Sequence, residues 1–292
     1  MKKYIKSPFY KIKNNKLYYL NKIELFPLSK EKNIREKMLI DEGALLELNQ
    51  NYKSKESSIL VLEPHPDDFA LSAFGYIKDN KKAIVLNIFS KMKLDSFTWN
   101  KEIEISDEEY EKIRLDEDKL AIETILKQDY ISLKEQSTRI SKKSDKYIID
   151  RILNETNKIL NKNKKIDTIM IPMGVGMHPD HIIVFKAILE EYINQIATSI
   201  KICFYPEYPY SRCKKLYYER LEQLQKKYKI KEKVINIEPK LNKMVNACSV
   251  YRSQYNDVNK LQMLAIIRED CIAISNEYNK KNMSLVYFEL ER

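Results

Sequence analysis

Short, uninterrupted apolar runs alternate along this chain with longer stretches in which apolar residues return at helical spacing. Ile59-Leu60-Val61-Leu62 is four apolar residues between polar neighbours, the pattern of a strand covered on both faces. Ala83–Phe89, Thr168–Pro172, Ile200–Tyr205 and Val234–Ile237 predict further strands. Between them, helices are predicted over Phe69–Ile77, Glu108–Leu126, Tyr147–Leu160, Pro179–Ile193, Leu216–Tyr228 and Leu241–Tyr251. Ile148, Ile149, Ile152, Leu153 and Ile159 line one face of the third, and Ile113, Leu120, Ala121 and Ile125 one face of the second. Buried strands alternating with amphipathic helices specify an α/β fold: a Rossmann-like, open, mostly parallel sheet with helices on both faces.

The first 56 residues follow another pattern. Tyr10–Ile12 and Leu17–Tyr19 flank Asn14-Asn15, a turn signal, which predicts a small β-hairpin. A helical pattern from Arg35 to Leu48 and a polar stretch from Asn49 to Ser58 follow. Residues 1–56 are therefore expected to be an N-terminal extension, hairpin plus helix, to a domain spanning 57–292.

Composition narrows the picture. With 292 residues, 43% hydrophobic and 32% charged, the chain can bury a sizeable core, which excludes wholesale disorder. No apolar run approaches the roughly 20 residues of a membrane span, and the basic N-terminus lacks the apolar segment of a signal peptide. A cytoplasmic location without a transmembrane segment is expected. Cys203, Cys213, Cys248 and Cys271 form no C-x-x-C pair, so a thiolate metal site is not indicated. The net charge of +10 comes from lysines spread through a chain also rich in Asn, Ile and Tyr. Its basic clusters, at 161–165 and 226–233, fall between predicted elements, the pattern of a solvated surface and not of a nucleic-acid partner. Nothing in the pattern specifies an oligomeric state.

The chain has three histidines, and they lie in two short segments. Glu63-Pro64-His65-Pro66-Asp67-Asp68 follows the first buried strand, and Gly174-Val175-Gly176-Met177-His178-Pro179-Asp180-His181 follows the strand Thr168–Pro172. In an open parallel sheet, ligands bind beyond the carboxyl ends of the strands, near a switch in strand order. Two strand-to-helix turns rich in His and Asp would converge there. His65, Asp68 and His181 supply two imidazoles and a carboxylate, the donor set of a catalytic zinc with its fourth position left to water. Asp67, next to a ligand but pointing elsewhere, could take the proton of the attacking water. His178 could stabilise a tetrahedral intermediate or protonate the leaving amine. Asp180 could hold a histidine ring nitrogen as an outer partner of the metal site. A helix N-cap by one of the two aspartates is the bland alternative. A magnesium phosphohydrolase would call for more carboxylates and fewer histidines.

These segments resemble the de-N-acetylases of the glycosylphosphatidylinositol pathway and their bacterial relatives, the PIG-L or LmbE-like family. The family's first motif, [PA]-H-P-D-D-E, is matched by Pro64 to Asp68 except at its last position, where Phe69 stands. The second, H-x-x-H and often H-P-D-H, is matched by His178-Pro179-Asp180-His181. The resemblance implies zinc, or another divalent metal such as Fe2+, on His65, Asp68 and His181, with Asp67 as base and His178 as electrophile or acid. Arg114-Leu115-Asp116-Glu117 is similar to the family's R-x-x-E helix, whose arginine lies near the substrate. Pro206-Glu207-Tyr208-Pro209-Tyr210 resembles an acidic, aromatic segment of some members, and Tyr251-Arg252-Ser253-Gln254 a helix end in S-Q. Arg114, Tyr208 and Tyr210 are thus candidate substrate contacts. The likeness spans about Ser58 to Gln254 and implies removal of an N-acetyl or other acyl group from a small-molecule amino sugar or its conjugate. The alternative, motivated by Phe69, is a catalytically altered, metal-containing sugar-binding relative.

Overall fold

The computed structural model describes residues 3–19, 23–48, 57–92, 105–255 and 260–291. At the N-terminus, β1 (Lys3–Lys6) precedes a three-stranded antiparallel sheet of β2 (Tyr10–Lys13), β3 (Lys16–Tyr19) and β4 (Ile23–Pro27). Asn14 and Asn15 both take positive φ, 47° and 60°, as the tight turn between twisted strands requires. Next come α1 (Lys32–Glu42) and β5 (Leu45–Leu48), which pairs with β1. The helix predicted to run to Leu48 ends at Gly43, whose φ of 86° closes it with a left-handed cap. Leu46 and Phe9 join the same buried cluster as Ile59 and Val61.

The main sheet uses β6 (Ser57–Glu63), β7 (Lys82–Lys91), β8 (Asp129–Gln136), β9 (Thr168–Pro172), β10 (Lys201–Tyr205), β11 (Ile230–Asn236) and β12 (Ser284–Leu290). Their order is β11-β12-β10-β9-β6-β7-β8; β10 through β8 are parallel, and β12 runs antiparallel to both its neighbours. The chain steps from β6 outward to β7 and β8, then returns to lay β9 on the other side of β6. The switch in strand order therefore falls between β6 and β9.

Alternation along the strands explains why both faces are covered. Ile59, Val61, Ala83 and Val85 face one apolar cluster, and Leu60, Leu62, Ile84 and Leu86 the other. On the second face lie α3 (Asp145–Lys162), α4 (Pro179–Lys186) and α5 (Lys214–Lys227), through Ile152, Val184 and Leu224. On the first lie α6 (Leu241–Cys248) and α7 (Lys260–Glu277), through Met244 and Ile267. The helix predicted over Glu108–Leu126 is α2 (Asp107–Lys119), capped by Ser106, which accepts from the Glu109 amide at 3.1 Å. It continues as wider, π-type turns over Leu120–Leu126 to Lys127, at φ 60°. This is the α/β arrangement expected from the apolar pattern, with a small N-terminal hairpin attached. Among the described residues, no helix is long and apolar enough to cross a membrane.

Candidate metal and active site

The turn after β6 is drawn tight by its own backbone and by its surroundings. The Asp68 amide donates to the His65 carbonyl at 3.2 Å, and the His65 amide donates to Asp68 Oδ2 at 2.9 Å. Between them Asp67 sits at φ 114°, a conformation that costs a non-glycine residue on the order of 1–3 kcal/mol. Buried contacts hold it there. Arg114 Nη2 donates to the Pro66 carbonyl at 2.9 Å, the Phe89 amide to the Pro64 carbonyl at 2.9 Å, and the Tyr205 hydroxyl to the Leu62 carbonyl at 2.7 Å.

The turn after β9 bends at Gly174 and Gly176, at φ 85° and 74°. Both oxygens of Glu207, just beyond the end of β10, accept backbone amides here: Gly174 at 2.6 Å and Val175 at 3.2 Å. Pro179 opens α4, where its missing N–H costs nothing. His178 Nδ1 accepts from the Asp180 amide at 3.3 Å, so the histidine is itself the helix cap.

The two turns meet. His65 Nδ1 and His181 Nε2 are 3.1 Å apart, and Asp68 Oδ2 is 3.7 Å from the first and 3.4 Å from the second. Each imidazole turns its other nitrogen to a fully buried carboxylate: His65 Nε2 to Asp180 Oδ2 at 2.9 Å, His181 Nδ1 to Glu207 Oε1 at 3.0 Å. Asp180 is in turn fixed by Thr138, whose amide donates at 2.7 Å. His178 flanks the cluster, its ring 4.9 Å from that of His65 and 5.2 Å from that of His181. The three histidines can offer nitrogens within 4.8 Å of one another. Such a nest of buried imidazoles and carboxylates can hold a divalent metal.

The electrostatics follow from this crowding. Burial pulls the His181 imidazole down, but Asp68 and Glu207 outweigh it and push it up to about 10. Burial, reinforced by the other two imidazoles, holds His178 down to about 4. For Asp180, burial is outweighed by the bonds to His65 and Thr138, which keep it below the usual carboxylate range. Burial and the neighbouring Asp68 charge push Asp67 well up, against the pull of Arg114.

The other candidates take different places. Arg114 is buried beneath the first turn, its Nη1 on Met92 Sδ at 2.9 Å and 3.5 Å from the Tyr110 hydroxyl. Tyr210 sets its ring 5.7 Å from that of His181 and 6.1 Å from that of His178. Tyr208 lies beneath the Arg212 guanidinium and on the wall of an apolar cavity of about 180 Å³. Tyr205 is buried in the sheet. Sequence reasoning assigned no role to Glu207, Glu63 or Tyr255, whose hydroxyl stands 3.4 Å from Asp67 Oδ2. Of these only Glu207 had a local signal, an acid directly after a strand in the segment carrying Tyr208 and Tyr210.

A doubly covered parallel sheet with His and Asp turns converging at its switch point sets a candidate metal site where folds of this kind bind their ligands. Residues 60–192 match the family described as PIG-L, GlcNAc-PI de-N-acetylase, which places that segment among the N-deacetylases. No curated protein matches the chain by sequence. Among solved structures, the A40926 pseudoaglycone deacetylase Dbv21 is 16% identical with a TM-score of 0.63, over 82% of this chain and 98% of that one. The N,N'-diacetylchitobiose deacetylase of Pyrococcus horikoshii is 17% identical, with a TM-score of 0.55 over 90% and 93%. The 4-carboxy-2-hydroxymuconate hydratase GalB of Pseudomonas putida KT2440 is 12% identical, with a TM-score of 0.56 over 81% and 95%. The similar folds thus carry more than one reaction, and the assignment of chemistry here rests on the site.

Proposed function

We propose that the chain is a zinc-dependent hydrolase that removes an N-acetyl group from an amino sugar or amino-sugar conjugate. The observation that carries this is the triangle of His65 Nδ1, His181 Nε2 and Asp68 Oδ2. Metal–ligand distances of about 2.0–2.2 Å around a tetrahedral ion separate the donors by roughly 3.3–3.6 Å, against the 3.1, 3.4 and 3.7 Å observed. The carboxylates behind both imidazoles fix ring orientation and raise ligand basicity, as metal-bound histidines require. A set with His178 in place of Asp68 fits less well, because His178 Nδ1 is committed to the helix cap. The residues fit the ion.

Bound there, zinc supplies Lewis acidity toward an amide carbonyl and lowers the pKa of a coordinated water to about 7. Asp67, next to the ligand Asp68, has its proton affinity raised by burial and by the Asp68 charge, which suits a general base. His178 is neutral near pH 7. With Nδ1 accepting the Asp180 amide, its hydrogen sits on Nε2, which favours donation to a developing oxyanion over delivery of a proton to the amine. Tyr210 offers an aromatic face for a sugar ring.

Metal analysis coupled to an acetate-release screen on N-acetylated amino sugars tests the reading. The expected result is about one metal per chain, with release lost on chelation and restored by zinc; restoration by Fe2+ alone would change the metal but not the mechanism. Metal-loaded protein that binds amino sugars yet releases no acetate across the panel would favour a binding protein instead.

A further inference from the structure

The Pro64–Asp68 turn departs from the family motif at its last position, where an acid gives way to Phe69. That side chain is fully buried, its ring 5.9 Å from that of Phe74. A carboxyl group nevertheless reaches the backbone at that position. Glu63, the last residue of β6, is 0% exposed, and its Oε1 accepts the Phe69 amide at 2.8 Å. Its Oε2 accepts the Asn87 side-chain amide at 3.3 Å, and Asn87 in turn accepts the Ser132 hydroxyl at 3.1 Å. The Glu63 side chain therefore spans the turn from beneath, joining the strand end to the residue after Asp68.

We propose that Glu63 is a positioning residue for the metal site, supplying from the strand a carboxyl group where the motif's acid is missing. The inference rests on the reading that Asp68 is a metal ligand. Its physical basis is the peptide between Asp68 and Phe69. That peptide's N–H is buried, and an unmatched buried donor is costly, so the Glu63 oxygen fixes the plane of the peptide. The plane sets the direction of the Asp68 side chain, whose Oδ2 must meet two imidazole nitrogens at once. An outer partner of this kind typically contributes tenfold to a hundredfold in metal affinity. The need is for an acceptor oxygen at that place and not for charge as such.

Zinc titration of metal-free protein, with amide hydrogen exchange at Phe69, tests this. Glu63→Gln keeps the acceptor and should bind zinc within about threefold of the unaltered chain, with Phe69 still protected. Glu63→Leu should bind about tenfold to a hundredfold more weakly and lose that protection before zinc is added. Glu63→Asp, which keeps a carboxylate but is one methylene too short, should behave like Glu63→Leu and serves in its place if the leucine variant does not fold. Unchanged zinc affinity in Glu63→Asp, or a Glu63→Gln variant as weak as Glu63→Asp, would overturn the proposal. If the unaltered chain takes up no zinc, the metal reading fails; Phe69 protection in Glu63→Gln lost in Glu63→Asp would still uphold the contact, and its absence would sink that too.

Discussion

The turn after β6 and the turn after β9 each deliver an imidazole to the same point, but they are built differently. In the first, the residue at positive φ is Asp67, the proposed general base, whose carboxylate a glycine would remove. Its strain is offset by bonds converging on the turn from Glu63, Arg114 and β7. In the second, the positive-φ positions are Gly174, Gly176 and Met177; glycine takes the first two cheaply, and Met177, at φ 57°, stands exposed. That turn then depends on one remote carboxylate, Glu207, which bonds two of its amides and the back of His181. Where the proposed chemistry calls for a side chain, the surroundings hold the backbone; where it does not, glycine takes most of the positive-φ positions. The first turn should therefore be sensitive to its side chains and the second to added atoms.

The largest separation of chemistry from architecture is expected at Asp67→Asn. The amide preserves shape but cannot take a proton, so turnover should fall by about 10²–10⁴ while zinc content and Tm hold. Near wild-type rates would remove Asp67 as the base. Next comes Glu207→Leu in the second turn, which orphans two buried amides and the partner of His181. A loss of about 2–4 kcal/mol in denaturant unfolding is expected, with zinc affinity down about tenfold to a hundredfold. A variant as stable as the parent would show that this turn holds itself. Smaller again are Gly174→Ala and Gly176→Ala. Both add a Cβ at positive φ, costing about 1–2 kcal/mol. At Gly174 the new atom also falls 2.7 Å from Ile182 Cδ1 and 3.2 Å from Arg220, whereas at Gly176 the nearest neighbour is 3.5 Å away. Gly174→Ala should thus be the worse; equal losses would mean that Ile182 simply turns aside.

Much of this was legible in the chain because the signals were local. The strand at Thr168–Pro172 has the predicted bounds, since five consecutive residues there are buried. Histidine scarcity pointed to both turns. What escaped has physical causes. β8 is an edge strand, half exposed along most of its length, and lacks the continuous apolar run that marked the buried strands. The apolar residues of α7 are spread around the helix, with Met263, Ile267 and Cys271 buried but Ile272 48% exposed. The false extension of α1 to Leu48 ignored what a glycine at position 43 does to a helix. Glu207 and Glu63 were not identified as anchors because a single acid announces nothing until folding carries it to an orphaned amide, as between Glu207 and Gly174, 33 positions apart.

The smallest effect sharpens the comparison through protons. In the metal-free protein His181, on the second turn, is raised to about 10 by Asp68 of the first and by Glu207. A histidine whose folded value exceeds its unfolded one, near 6.5, contributes stability that is fully present below 6.5 and lost as pH rises through about 10. Chelated protein should therefore lose Tm steadily between pH 7 and pH 10. Zinc on His181 Nε2 would replace that proton, so the loaded protein should lack this slope and release a proton on binding at pH 7 to 9. Calorimetric titration in buffers of different ionisation enthalpy reads the proton directly. Parallel Tm slopes and no released proton would mean that the two turns do not share a charge, and that the proton and the metal are not competing for one nitrogen.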